Sequence, residues 1–216
     1  MPVTVTIQFH ARPGQERALV DAVRALIVGR VAYVREGRYS ARLFQARDQP
    51  DVLLVLAEWE SREAHAARQH EEASQRRAIA ALCTQPPELR YFTCQARREW
   101  MGEAIGLVAC TRFHAPPSMA APLTELMELW HTIPRDVPGL VSRVLYQDED
   151  DPARLLMVSA WTSAAARDTY EAARRGASKT RVRAQGFTVE YFLGINRAQL
   201  DQFSLGHDAR PRVGPA

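Results

Sequence analysis

Apolar and polar residues alternate one by one along residues 3–11, VTVTIQFHA. The valines, isoleucine and phenylalanine fall on one face, and the threonines, glutamine and histidine fall on the other. This two-residue period predicts a β-strand with one buried face. Over residues 14–32 the apolar residues recur at helical spacing instead, with Leu19, Val23 and Leu26 on one side, which predicts an amphipathic helix.

The next stretches complete a small unit. Residues 39–45 (YSARLFQ) and 52–59 (VLLVLAEW) predict two strands joined by an Asp-Gln-Pro turn. Residues 61–83 predict a second helix, with Ser61 as its N-cap and negative charge near its start. Residues 88–93 (ELRYFT) predict a fourth strand. The order βαββαβ is that of a ferredoxin-like unit.

The same phrases then occur a second time. LLVLAEWES at 53–61 returns as LLMVSAWTS at 155–163. Other stretches return in the same order: Phe-His-Ala at 9–11 and 113–115, LFQARDQP at 43–50 as LYQDEDDP at 145–152, and Tyr-Phe at 91–92 and 191–192. Self-similarity at this spacing predicts a duplicated small domain. We predict a first unit at 1–95, a linker at 96–103, a second unit at 104–196 and a C-terminal tail at 197–216.

The duplication has a physical interpretation. A four-stranded sheet with both helices on one face leaves its other face bare, and a large exposed apolar face is rare in a monomeric protein. Two units can bury these faces by packing sheet against sheet. We therefore expect two separate sheets within one chain that carries its own dimer partner. A further homodimer through the linker or tail stays open.

The amino-acid composition makes some classes of function less favourable than others. Of 216 residues, 46% are hydrophobic and 25% charged, which is an ordinary globular balance. The net charge of +3 comes from basic residues interspersed with acidic ones, which does not favour nucleic-acid binding. The sequence shows neither a membrane span nor a signal peptide. Three scattered cysteines suit free thiols, and we expect a cytoplasmic protein.

Several of these stretches together resemble a known family. FHARPGQ, the Leu-aromatic-Gln stretch with its Pro turn, LLVLAEWES and LLMVSAWTS are similar to the antibiotic biosynthesis monooxygenase domains of the dimeric α/β-barrel superfamily. Pro138-Gly139-Leu140 before the second strand of the second unit adds to the resemblance. The resemblance covers both units. It implies an α+β fold, with two fused ferredoxin-like βαββαβ units that form an intramolecular dimeric α/β barrel.

The resemblance also implies an activity. Relatives in the polyketide-oxidising branch insert oxygen from O2 into polycyclic aromatic polyketides during secondary-metabolite biosynthesis. Quinone formation needs no bound cofactor, whereas ring opening would use reduced flavin as a diffusible co-substrate. Such an enzyme needs an apolar slot, hydrogen bonds to the substrate oxygens and stabilisation of a developing peroxide. Two alternatives stay open: a polyketide cyclase on the same fold, and a non-catalytic barrel that binds a hydrophobic ligand.

A haem-degrading activity does not fit. That branch uses an Asn, a Trp and a His at set positions. The matching positions hold Ile7, Arg68 and Ala78 in the first unit and Thr111, Tyr170 and Thr180 in the second.

The repeated tryptophans are the first catalytic candidates. Trp59 and Trp161 end matched strands, and each indole N–H is a donor for substrate or peroxide. His65 lies six residues after Trp59 and is a candidate acid–base group. Packing of the indoles and a solvent-facing helical histidine are the alternative interpretations.

The second unit is richer in aromatic and ionisable residues, so we favour it as the catalytic half. Tyr170 and His131 complete the catalytic candidates, with a tyrosine on a helix face and a hydrogen-bonded core histidine as the alternative interpretations. The substrate-binding candidates are Arg143, Tyr146, Ser159, His10 and His114. No His and carboxylate residues have the spacing of a zinc site or a facial triad, so we predict no metal.

Overall fold

The computed structural model describes residues 2–28, 38–99, 105–115, 124, 127, 137–174 and 187–194. Its strands are β1 (Val3–His10), β2 (Arg38–Ala46), β3 (Val52–Trp59), β4 (Glu88–Glu99), β5 (Leu107–His114), β6 (Leu140–Asp148), β7 (Arg154–Trp161) and β8 (Phe187–Gly194). Its helices are α1 (Glu16–Val28), α2 (Arg62–Glu71), α3 (Ala73–Ala81) and α4 (Ala164–Arg174). In this part of the chain no helix is both long and apolar enough to cross a membrane.

The strands form a closed barrel in the order β1-β3-β2-β8-β5-β7-β6-β4. Within this ring, β4-β1-β3-β2 is the strand order of one ferredoxin-like unit, and β8-β5-β7-β6 repeats it. The predicted fold class is therefore confirmed: two fused α+β units build one barrel from a single chain.

The two units join at their edges. β4 pairs with β6, and β2 pairs with β8, both antiparallel. The expectation of two separate sheets is wrong in this respect. An unpaired edge strand exposes a row of backbone N–H and C=O groups, and closure of the ring pairs both edges of each unit.

Strand β4 is longer than predicted, with 12 residues ending at Glu99. Its first part pairs with β1 through Phe92, and from Phe92 onward it pairs with β6. Residues 96–99 of the predicted linker therefore belong to this strand, because the second unit supplies them with hydrogen-bond partners. The rest of the linker and the tail at 197–216 lie outside the described residues.

Side chains of each strand alternate between the barrel interior and the outer face beneath the helices. The interior holds an apolar cluster drawn from both units: Phe44, Val52, Leu54, Phe92, Val108, Cys110, Val141, Val144, Tyr146, Leu156, Val158 and Ala160. In this cluster the bare sheet faces of the two units are buried against each other, as predicted. On the outer face of the first unit, Val5, Val55 and Trp59 pack with Leu19 and Val23 of α1.

The second helix of the first unit begins where predicted but is interrupted. Ser61 caps α2, with its Oγ accepting a hydrogen bond from the Ala64 N–H at 3.2 Å. At Glu72 the backbone leaves the helical conformation, and α3 starts at the next residue. The buried Glu72 carboxylate accepts from Arg68 Nε at 3.0 Å and lies 3.5 Å from an Arg76 nitrogen.

Candidate functional site

Each unit places one tryptophan on its outer face at the end of a strand. Trp59 ends β3 and is 3% exposed, and Trp161 ends β7 and is fully buried. Neither indole Nε1–H has a hydrogen-bond partner among the described residues. A buried donor without a partner costs about 1–3 kcal/mol, so each N–H is a candidate donor to a bound ligand.

In the second unit, four of the predicted residues lie together. The Arg143 Nε donates to the Ser159 Oγ at 3.1 Å, and both residues are buried. The Tyr170 ring lies 5.2 Å from the Trp161 ring and 5.7 Å from the Arg143 guanidinium carbon. We call Arg143, Ser159, Trp161 and Tyr170 the Arg143 cluster.

A second buried cation borders this cluster. The Arg167 guanidinium lies 5.7 Å from the centre of the Trp161 ring, and its Nη1 is 2.8 Å from the Glu171 carboxylate. Arg167 follows Trp161 by six residues, as His65 follows Trp59, and it was not among the predicted site residues. Its position on α4 faces it toward the sheet, where it is 6% exposed.

The first unit lacks the charged pair. Arg143 and Ser159 are cross-strand partners on β6 and β7. The matched partners on β2 and β3 are Ala41 and Ala57, both buried. The second unit therefore carries a guanidinium and a hydroxyl, which can bind an anionic oxygen, at the positions where the first unit carries two methyl groups.

At one matched pair of positions the outer face of the second unit is less buried than that of the first. In the first unit, the cross-strand partners Ile7 and Val55 are buried, at 8% and 5% exposure. The matched partners Thr111 and Met157 are only half-buried. Tyr170 is half-buried as well. The Arg143 cluster therefore borders side chains that are partly exposed to solvent.

A glycine allows α4 to pack closely against this sheet. Gly139 has a φ of +75° and lies in the turn directly before β6. A Cβ at this position would lie 2.5 Å from the Ala166 Cβ and 2.9 Å from the Thr162 Oγ1. The Pro138-Gly139-Leu140 stretch thus has a local reason: only glycine permits both this conformation and this close approach.

The first unit contains a different buried group of side chains. His65 is 1% exposed, and its Nδ1 lies 3.0 Å from the Tyr91 hydroxyl. The His65 ring is 4.8 Å from the Trp59 ring. Burial raises the pKa of Tyr91, against the opposing effect of the Arg62 guanidinium, which lies 4.3 Å from the ring centre. The expected solvent-facing alternative for His65 is therefore wrong.

Tyr91 was missed as a site residue. The sequence feature that could have indicated Tyr91 is the Tyr-Phe pair at 91–92, which recurs at 191–192. The sequence did not place it beside His65, because the two residues are 26 positions apart on different elements.

Three further candidates lie away from both outer-face groups, one inside the barrel and two at its mouth. Tyr146 packs against Phe92 at 6.4 Å, and burial raises its pKa to about 12. His10 and His114 end β1 and β5 at one mouth of the barrel. These three candidates do not line the same site as Arg143, because their side chains lie on the opposite face of the sheet.

The last candidate, His131, lies outside the described residues. Among the residues that are described, no three His, Cys, Asp or Glu side chains form a group able to hold a metal ion.

Comparison with known proteins bears on the first unit directly. Residues 2–80 match the family model of antibiotic biosynthesis monooxygenase. Over these residues the first unit is similar to antibiotic biosynthesis monooxygenase domains. This confirms the resemblance drawn from FHARPGQ and LLVLAEWES. The second unit repeats the strand order of this domain. A comparison with curated proteins finds no match.

Solved structures resemble the whole barrel. A proposed monooxygenase from Fusobacterium nucleatum superposes with a TM-score of 0.72 at 10% identity, covering 90% of this chain and 93% of that one. An anthrone oxidase-like protein gives 0.70 at 18% identity, covering 90% and 92%. A proposed monooxygenase from Lactobacillus acidophilus gives 0.64 at 8% identity, covering 89% and 93%. At these identities the likeness establishes the fold.

Proposed function

We propose that the chain is an oxygenase that oxidises an acidic polycyclic aromatic polyketide at the Arg143 cluster, within secondary-metabolite biosynthesis. The observation that carries this proposal is the buried Arg143–Ser159 pair beside Tyr170 and the indole N–H of Trp161, which has no hydrogen-bond partner among the described residues. The match of the first unit to the monooxygenase family model and an anthrone oxidase-like structural neighbour support it.

The guanidinium has a defined task in this chemistry. An anthrone or phenol becomes electron-rich when it loses a proton, and the anion carries most of its charge on oxygen. Arg143 stabilises that oxyanion and thereby favours deprotonation. Its effect is larger than it would be at the surface, because the site is buried and the effective dielectric constant is low.

Tyr170 and Trp161 act on the rest of the substrate. The half-exposed Tyr170 ring offers a face on which a flat aromatic substrate stacks. The Trp161 N–H donates to the negative charge that develops on oxygen as O2 adds to the substrate carbon.

The atoms and electrons balance without an external reductant. With an anthrone, the ring CH2 loses one proton, the carbanion adds O2, and a peroxide forms at that carbon. Loss of water leaves a C=O group, so one oxygen atom stays in the quinone and the other leaves as water. Ring opening would instead need two electrons from reduced flavin, supplied as a diffusible co-substrate.

In this proposal the first unit is the scaffold. Its Ala41–Ala57 pair offers no cation to an oxyanion, and its outer face is packed by α1. The His65–Tyr91 pair then orders α2 against β4 rather than moving a substrate proton.

Oxygen uptake with an anthrone, measured with and without reduced flavin, tests the proposal. We expect one O2 consumed per quinone formed without flavin, and a loss of kcat/KM of about 100-fold in Arg143→Gln. His65→Asn changes a buried polar residue of the other unit and should keep turnover. Turnover without O2 uptake would indicate a cyclase, and ligand binding without turnover a non-catalytic barrel. Activity that depends on His65 but not on Arg143 would place the chemistry in the first unit.

A further inference from the structure

The residue six positions after each repeated tryptophan lies against that tryptophan. In the first unit the His65 ring is 4.8 Å from the Trp59 ring. In the second unit the Arg167 guanidinium carbon is 5.7 Å from the centre of the Trp161 ring. We propose that Arg167 is a positioning residue for the Arg143 cluster, which holds the Trp161 indole and strengthens its N–H as a donor to a substrate oxygen. This inference rests on the role proposed above for that N–H.

The start of the following helix sets this placement in both units. Ser61 and Ser163 each accept, with their Oγ, a hydrogen bond from the N–H three residues later, at 3.2 and 3.1 Å. The next residue makes the first helical bond, so the N–H groups of His65 and Arg167 donate to the carbonyls of these serines at 3.3 Å. Side chains of the first turn point back toward the helix start. The helix cap therefore brings this one position to the indole.

The backbone around the indole of the second unit is also held. The Trp161 C=O accepts a hydrogen bond from the Gly106 N–H at 2.8 Å. The Thr162 N–H donates to the Gly139 C=O at 2.8 Å. The strand end and the start of α4 are thus fixed against neighbouring segments, so Arg167 meets the ring in a defined geometry.

The chemistry of the contact differs between the units. His65 contributes an imidazole, whose Nδ1 lies 3.0 Å from the Tyr91 hydroxyl. Arg167 contributes a guanidinium, which stays protonated in proteins. A cation within about 6 Å of the centre of an aromatic ring is attracted to the ring face, and more strongly where water is excluded. Arg167 is 6% exposed and Trp161 is fully buried, so their contact is of the stronger kind.

An ion pair anchors the guanidinium without needing its burial. The Arg167 Nη1 lies 2.8 Å from the Glu171 carboxylate, one turn further along α4. Pairs with this spacing form readily on the exposed face of a helix. The Glu171 side chain is 42% exposed, whereas that of Arg167 is 8% exposed. Solvent therefore screens the field of the carboxylate at the indole more strongly than that of the guanidinium.

A cation on the ring face changes the N–H at the ring edge. It draws electron density from the ring, so the hydrogen on nitrogen becomes more positive. Hydrogen bonds strengthen as the donor gains positive charge. The Trp161 Nε1–H has no hydrogen-bond partner among the described residues, which leaves it for an oxygen of a bound ligand. Arg143 acts on that ligand directly, whereas Arg167 acts through the indole.

Binding of the dihydroxyanthraquinone chrysazin to the full chain, measured by equilibrium dialysis, tests this inference. The quinone offers carbonyl oxygens as acceptors and does not react with O2, so its binding is independent of turnover. We expect Arg167→Met to raise Kd about threefold to tenfold, and Trp161→Phe to raise it at least as much. Adding Arg167→Met to Trp161→Phe should cause no further change, because the indole through which Arg167 acts is absent.

Three further variants separate charge from shape and from fold. Arg167→Lys keeps a cation for the ring face, so its Kd should lie closer to the wild-type value than that of Arg167→Met. Arg167→Gln is also neutral but polar, and it should match Arg167→Met. If Arg167→Met does not fold, Arg167→Gln takes its place in the comparison. Arg77→Met changes an exposed arginine of the first unit and should leave Kd unchanged.

Several results would overturn the inference. These are absence of chrysazin binding to the wild-type chain, an unchanged Kd in either Arg167→Met or Trp161→Phe, and an equal effect of Arg167→Met with and without the indole. The last result would show that Arg167 acts without Trp161. Oxygen uptake with an anthrone judges the oxygenase separately. A chain that shows the expected coupling in quinone binding but consumes no O2 would refute the oxygenase and leave this inference standing.

Discussion

Substitution of Trp161 by phenylalanine separates a packing role from a chemical one. The indole is fully buried, and its N–H has no partner in the described part of the chain. Removal of an unsatisfied buried donor returns about 1–3 kcal/mol. The smaller ring leaves a void of roughly 40 Å³, which costs about 1 kcal/mol at ~24 cal/mol per Å³.

The Trp161→Phe change also removes two contacts, and their loss offsets the remaining gain in the free energy of unfolding. The Trp161–Tyr170 ring contact is worth about 0.5–1.5 kcal/mol, and the Arg167 cation–π contact about 0.5–1 kcal/mol. The free energy of unfolding of Trp161→Phe should therefore stay within about 1 kcal/mol of the wild-type value. Urea unfolding followed by circular dichroism measures this difference.

Turnover should change far more than stability. If the Trp161 N–H stabilises negative charge on oxygen in the transition state, its loss should lower kcat by about 100-fold, equivalent to ~2.7 kcal/mol. Oxygen uptake with an anthrone gives kcat. The measurement requires the protein to be folded, which the unfolding curve establishes on the same preparation.

Trp59→Phe is the matched control. Its indole is also buried with an unpartnered N–H in the described residues, but it lies in the first unit beside His65. We expect a similar change in stability and unchanged turnover. Wild-type kcat in Trp161→Phe would refute the chemical role. A loss of more than about 3 kcal/mol of unfolding free energy would show that the indole N–H is satisfied in the folded protein.

Three other outcomes are expected. Gly139→Ala should destabilise the fold by more than about 2 kcal/mol, because a Cβ at this position would lie 2.5 Å from the Ala166 Cβ. Gly14 has a similar φ of +77° but open space around it, so Gly14→Ala should cost only about 1 kcal/mol. Thermal unfolding measures both differences. Burial raises the pKa of Tyr146 to about 12, so its stabilising contribution is complete below about pH 10 and is lost as the pH rises toward 12. Tyr146→Phe should flatten this loss in urea unfolding at alkaline pH, and an unchanged profile would contradict it. Residues 1–95 expressed alone should self-associate or precipitate, because the edge strands β2 and β4 would lack their partners β8 and β6. If light scattering shows a monomeric fragment, the result would argue against the pseudo-dimer.

The fused arrangement lets the two halves of a symmetric barrel take different tasks. On the outer face, Arg143 and Ser159 replace two alanines. In the interior, Arg112 faces Gln8, its own counterpart. Both differences create asymmetry at positions that a dimer of identical subunits would have to fill twice with one residue.

The sequence by itself determined the local elements. Alternation along VTVTIQFHA and the repeated phrases ending in Trp59 and Trp161 predicted the strands and the duplication. Ser61 was predicted as the N-cap, and it caps α2. These features depend on side-chain periodicity and on hydrogen bonds between residues a few positions apart, so a short window of sequence contains all the information they need.

The tertiary structure decided which side chains meet. Closure of the barrel joins strands from different units, with β4 extended by hydrogen bonds to β6. It brings Tyr91 to His65, Arg143 to Tyr170, and Arg112 to Gln8 across 104 positions of sequence. Loop closure costs entropy that grows only slowly with loop length, so chain separation alone does not select among distant partners. Strand register and the pairing of the sheet edges select them, and both are properties of the complete barrel.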